Sequence, residues 1–154
     1  MPRLARDAPF DTSPWTHCCG KYTAPEKQNH MPERERLPAE RKAINARLTI
    51  MAGSDEFEYD LTVGYYPDGR IAEIFIRTQD PAAAVYDALA CTISIALQHG
   101  SPFDSIRKHL EFQGNAGPSG MACDEAAWKS KVSSPLDMIA KWVGDHQQLG
   151  GEDA

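Results

Sequence analysis

Apolar and polar positions alternate most clearly from Phe57 to Tyr65. Phe57, Tyr59, Leu61, Val63 and Tyr65 are separated by Glu58, Asp60, Thr62 and Gly64, the period-2 pattern of a strand buried on one face. Ala46 to Met51 predicts a strand before it, with turn chemistry at Gly53-Ser54-Asp55. Pro67-Asp68-Gly69 predicts a second turn, because Pro presets φ and Gly accepts a positive φ. The return strand is Arg70 to Arg77, whose apolar residues occupy both parities. Three antiparallel strands in a meander are expected, since a lone hairpin is barely stable in water.

The pattern then turns helical. Asp80-Pro81 reads as an N-cap with Pro at N1, opening a helix from Ala82 to about His99 that Gly100 closes. Val85, Leu89, Ile93 and Ala96 form one stripe, and Tyr86, Ala90, Ile93 and Leu97 another. With Asp87 its only charge between Ala82 and Leu97, this helix is expected to be central and covered on most sides. Ser101-Pro102-Phe103-Asp104 and Ser134-Pro135-Leu136-Asp137 both read as Ser N-cap, Pro at N1 and Asp at N3, opening two further helices. The expected fold class is α+β, a small antiparallel meander of about three strands packed against about three helices.

Composition changes this picture little. A chain of 154 residues, 42% hydrophobic and 25% charged, has room for one ordinary domain. A formal net charge of -6 argues against nucleic-acid binding, which calls for excess Lys and Arg. Residues 1–38, broken by prolines at 2, 9, 14, 25, 32 and 38, read as an extended or partly disordered arm. Residues 39–148 read as the domain, with a short helix near Ala39–Ala43, and 149–154 as a flexible tail. The N-terminus has no apolar run of a signal peptide, and no stretch is long and apolar enough to span a bilayer. A cytoplasmic chain with reduced thiols is the expectation.

Candidate chemistry is sparse. Cys18 and Cys19 are adjacent, which does not match structural zinc spacing, and Cys123 with His99 or His109 would be needed to complete a site. No metal is expected; Cys18, Cys19 and Cys123 are the metal candidates. Cys91 is expected to be a buried structural thiol. Glu73, among Ile71, Ile74 and Phe75, reads either as a buried functional acid or, preferably, as a water-facing side chain. A ligand or partner pocket between the sheet and the long helix would draw on Glu73, Phe75, Ser94, Gly100, Gly117 and Gly120. The run Gln113–Gly120 is glycine-rich but matches neither the P-loop nor the dinucleotide fingerprint.

One resemblance goes further. Val63-Gly64-Tyr65-Tyr66-Pro67-Asp68-Gly69-Arg70, Glu73-Ile74-Phe75-Ile76, Ile93 to Gly100, Pro118-Ser119-Gly120-Met121 and Ser134-Pro135-Leu136-Asp137 with Trp142 occur in collinear order. In this the stretch from about residue 34 to 145 resembles the C-terminal part of vitamin B12-dependent (class II) ribonucleotide reductases, the module known as the TSCPD domain. Ser133 to Asp137 stands at the Thr-Ser-Cys-Pro-Asp position without its cysteine, and capping alone explains Ser134 and Asp137 there. The reductase's radical barrel, active-site cysteines and cobalamin site lie outside the matched segment, so the resemblance implies no catalytic residue and no cofactor in this chain. It implies a stand-alone accessory or regulatory module of deoxyribonucleotide synthesis that binds a reductase subunit or a nucleotide. The alternative is a protein-interaction or self-associating domain unrelated to nucleotide metabolism. A homodimer is a further expectation; a membrane or nucleic-acid partner is not.

Overall fold

A computed structural model describes residues 32–147. Of the arm expected at 1–38, residues 1–31 lie outside the described residues and 32–38 form neither helix nor strand; the tail expected at 149–154 lies outside them too. The elements run β1 (Ala43–Ala52), β2 (Asp55–Tyr65), β3 (Ile71–Thr78), α1 (Ala83–Gln98), α2 (Phe103–Leu110), β4 (Gly120–Asp124), β5 (Lys129–Val132) and α3 (Pro135–Asp145). All strand pairs are antiparallel, in the order β3-β2-β1-β4-β5. The fold is α+β, and the expected meander forms one side of a wider sheet.

Both predicted turns are present. Gly53, with φ +68°, turns β1 into β2, where Ala52 faces Asp55. At the second turn Gly69 has φ +87° and the Asp68 carboxylate accepts the Arg70 N–H. The mixed parity of β3 has a local cause. Gly64 faces Glu73 but Tyr65 faces Ile71, so Ala72 is an extra residue in β3. That bulge brings Ile71 back to the inner face with Ile74 and Ile76.

The strands β4 and β5 extend the sheet where only a loop and a helix start were expected. They are short, and their inward positions Ala122, Ser130 and Val132 are too small to announce a strand. Register pins them: Ile50 pairs with Ala122 and Met51 with Met121. Gly120 makes the approach possible, because a Cβ there would lie 1.9 Å from the Met51 carbonyl oxygen. No helix forms near 39–43; residues 41 and 42 are irregular and Ala43 already begins β1.

The helices lie on one face of the sheet. Leu48, Ile50, Tyr59, Leu61, Val63, Ile74 and Ile76 form the inner layer with Tyr86, Ile93 and Leu97 of α1 and Met138, Ile139, Trp142 and Val143 of α3. Burying each such large side chain stabilises by about 1.5–3 kcal/mol. Of the two α1 stripes only the Tyr86-Ala90-Ile93-Leu97 stripe is buried; Val85 and Ile95 are exposed, and so is Cys91. The helix is therefore lateral rather than central, because it packs beside β3 at the sheet edge. Ser94 accepts the Ile74 N–H at 2.9 Å and Gln98 donates to the Ala72 carbonyl at 3.2 Å. Two polar side chains thus satisfy edge groups that would otherwise invite another strand.

The caps differ at two of three helices. Asp80 accepts from Ala82 N at 2.7 Å, tightening the turn before α1 rather than capping it, and Ser101 makes no side-chain cap at α2. Ser134 does cap α3, accepting from Asp137 N at 3.2 Å. At the far end of α1, Gly100 (φ +87°) donates to Leu97 and Ser101 to Ala96, the bonding of a Schellman stop.

Candidate functional site

The chain between α2 and β4 leaves the ordinary backbone regions three times, at Phe112 (φ 61°), Asn115 (φ 60°) and Gly117 (φ 127°). Gly117 is required there on two counts: its φ, and the Pro135 ring and Tyr86 hydroxyl, each 2.9 Å from where a Cβ would stand. The Tyr86 hydroxyl donates to the Ala116 carbonyl at 2.9 Å and ties the loop to α1.

Asp137, in the first turn of α3, holds the other end of this loop. Its side chain is buried and accepts four hydrogen bonds: from Phe112 N at 3.0 Å, Ser133 N at 2.8 Å, Ser133 Oγ at 3.0 Å and Lys141 Nζ at 2.9 Å. Burial alone would raise its pKa. The amides of Phe112 and Ser133 and the Lys141 ammonium outweigh that and hold it below the usual carboxylate value. Lys141 also donates to the Lys131 carbonyl at 2.8 Å and stands 5.0 Å from the centre of the Phe112 ring.

These residues border a cleft of about 550 Å³ lined by Phe112, Gly114, Asn115, Gly117, Ser119, Lys131, Val132, Ser133, Asp137 and Lys141. The expected Ser134–Asp137 cap is present, and the carboxylate does more than complement the helix end. It staples the loop, the β5–α3 connection and α3 together. Sequence reasoning missed Phe112, Lys131 and Lys141; the only available signal was Lys141 standing four residues after Asp137.

The residues expected to line a pocket between sheet and helix lie apart. Glu73 and Phe75 sit on the outer face of the sheet. Glu73 is buried all the same, because it lies across Gly64 and accepts from Arg41 Nε at 2.5 Å. Phe75 is 43% exposed. Ser94 bonds the backbone of Ile74 at the sheet edge. Gly100 lines a second cleft of about 520 Å³ between the Asp68–Arg70 turn and the start of α2. Gly117 belongs to the Asp137 cleft, and Gly120 closes β4 onto β1.

Cys123 lies on the outer sheet face opposite Thr49; Cys18 and Cys19 lie outside the described residues. No group of three His, Cys, Asp or Glu side chains suited to a metal ion occurs among the described residues. None of the described helices is long and apolar enough to cross a membrane.

Comparison with known proteins covers the same stretch. The family model of the TSCPD domain matches residues 28–147. The chain is 33% identical over 130 residues to a vitamin B12-dependent ribonucleotide reductase of Rhodopirellula baltica, covering 80% of this chain and 12% of that protein. It is 33% identical over 110 residues to the vitamin B12-dependent ribonucleotide reductase of Agrobacterium fabrum, covering 70% of this chain and 8% of the relative. The chain thus spans only a small part of the relatives it matches. No solved structure matches it significantly.

Proposed function

The chain belongs to the TSCPD domain family, and from that premise we propose that it is an accessory or regulatory module of ribonucleotide reduction, acting in deoxyribonucleotide synthesis and not catalytic alone. The observation that carries this reading is the match itself. The family model's match spans every strand and helix described, and both relatives named above are vitamin B12-dependent ribonucleotide reductases. Radical chemistry, and the cobalamin that serves it, belong in this reading to the reductase. The chain contributes contacts to a reductase subunit or to a nucleotide, in the cytoplasm where such synthesis runs.

Affinity capture of the tagged chain from lysate of its own organism, with mass-spectrometric identification, tests the reading. Recovery of a ribonucleotide reductase subunit is expected; recovery of every major nucleotide-metabolism enzyme except a reductase component would overturn it.

A second reading is favoured by one feature, the apolar outward side of α1, where Val85 is 67% and Ile95 48% exposed. In that reading the chain is a self-associating domain with no tie to nucleotide metabolism. Sedimentation showing a concentration-dependent dimer, together with a capture free of reductase, would favour it.

A further inference from the structure

The cleft at Asp137 combines an exposed aromatic ring with cationic side chains, in a chain whose formal net charge is -6. Phe112 is 76% exposed and contributes little to the core. Its backbone φ of 61° is one that a bulky L-residue rarely adopts, and the Asp137 carboxylate is committed to holding its amide there. The ring is consequently presented to solvent at a set place rather than left to choose one.

Two lysines and one carboxylate line the cleft, and the carboxylate is the buried member. Asp137 is buried and saturated by four donors, so it offers nothing to a ligand. Lys141 spends one proton on Asp137 and one on the Lys131 carbonyl, which leaves a third beside Phe112. Lys131, whose carbonyl Lys141 holds, also lines the cleft, and its ammonium has no partner among the described residues. Gly114, Asn115, Gly117 and Ser119 supply the remaining wall without charge or bulk. A cleft of about 550 Å³ is within the range used for small ligands.

A planar aromatic group that carries an anion fits this arrangement on both counts. Rings stack on an exposed phenyl face, and lysine binds phosphate as a point charge. We infer that the cleft binds a nucleoside phosphate, with the base stacked on Phe112 and the phosphates at Lys131 and the third proton of Lys141. The choice of nucleotide among aromatic anions rests on the proposed function; the geometry supplies the rest.

The test is calorimetric titration of the full chain with adenosine diphosphate, cytidine diphosphate, inorganic pyrophosphate and adenosine. At least one nucleoside diphosphate should bind about tenfold or more tightly than either pyrophosphate or adenosine, because neither fragment engages both ring and cations. Phe112→Ala should weaken that binding about tenfold, and Lys131→Gln should weaken it and reduce its dependence on salt. Both side chains are exposed, and unchanged melting of each variant in the absence of ligand verifies the fold. Absence of binding at millimolar ligand, pyrophosphate binding as tightly as the diphosphates, or affinity indifferent to both substitutions would overturn the inference. Capture of a reductase subunit is a separate readout, so a chain that recovers reductase yet fails this titration loses the cleft assignment and keeps the proposed function.

Discussion

The Asp137 carboxylate accepts the backbone N–H of Phe112, 25 residues away in sequence, at 3.0 Å. That bond joins the start of α3 to the end of α2 and sets the loop between them. Asp137→Ala would leave the Phe112 and Ser133 amides and the Lys141 ammonium without their acceptor. The expected cost is about 2–4 kcal/mol of unfolding free energy, measured by urea denaturation. Asp137→Asn, which retains one acceptor oxygen, should cost less.

The same carboxylate makes stability depend on pH in one direction. Its folded pKa lies below the ordinary value of 3.8. Its contribution is therefore complete above that value and is lost as the pH falls through the lower, folded one. Urea melts of the wild-type chain should show stability dropping as the pH is taken below about 4, and the drop should be shallower in Asp137→Asn.

Gly64 and Glu73 form a second coupled pair. A Cβ at residue 64 would stand 2.7 Å from both Cγ and Oε1 of Glu73, the residue opposite it in β3. Gly64→Ala should cost about 1–3 kcal/mol by displacing Glu73 from Arg41. The double variant Gly64→Ala, Glu73→Ala should recover most of that loss, so the two substitutions are non-additive in a denaturation cycle.

Much of this architecture was legible in the sequence, and the parts that were not share a cause. Period-2 alternation in Phe57–Tyr65 and the Pro67-Asp68-Gly69 turn are local signals, and they located the β2–β3 hairpin to within two residues. β4 and β5 have no such signal, because residues as small as Ala122 and Ser130 acquire strand character only by pairing with β1 and with each other. The outward turn of α1 was hidden for the opposite reason: both of its stripes are apolar, and only the position of β3 decides which is buried. At the site, the Ser134 cap was readable from spacing alone. The reach of Asp137 to Phe112 depends on a loop closing in three dimensions, and Phe112 follows a helix with nothing in its neighbours to single it out.

Phe112 should behave as a residue retained against the interest of stability. Phe112→Gly removes an exposed ring and relieves a left-handed backbone, so it should raise the unfolding free energy by about 1 kcal/mol. Thermal and urea denaturation of that variant check this, and a loss of stability would mean that the ring packs more than its exposure of 76% indicates.

The central claim is that this TSCPD module acts on ribonucleotide reduction. Its most direct test adds the purified chain to the purified ribonucleotide reductase of its own organism, following complex formation by light scattering and turnover by deoxyribonucleotide formation. The account predicts a saturable complex and a change in turnover that titrates with the chain. A reductase that neither binds the chain nor alters its turnover at saturating concentrations of it would contradict the account.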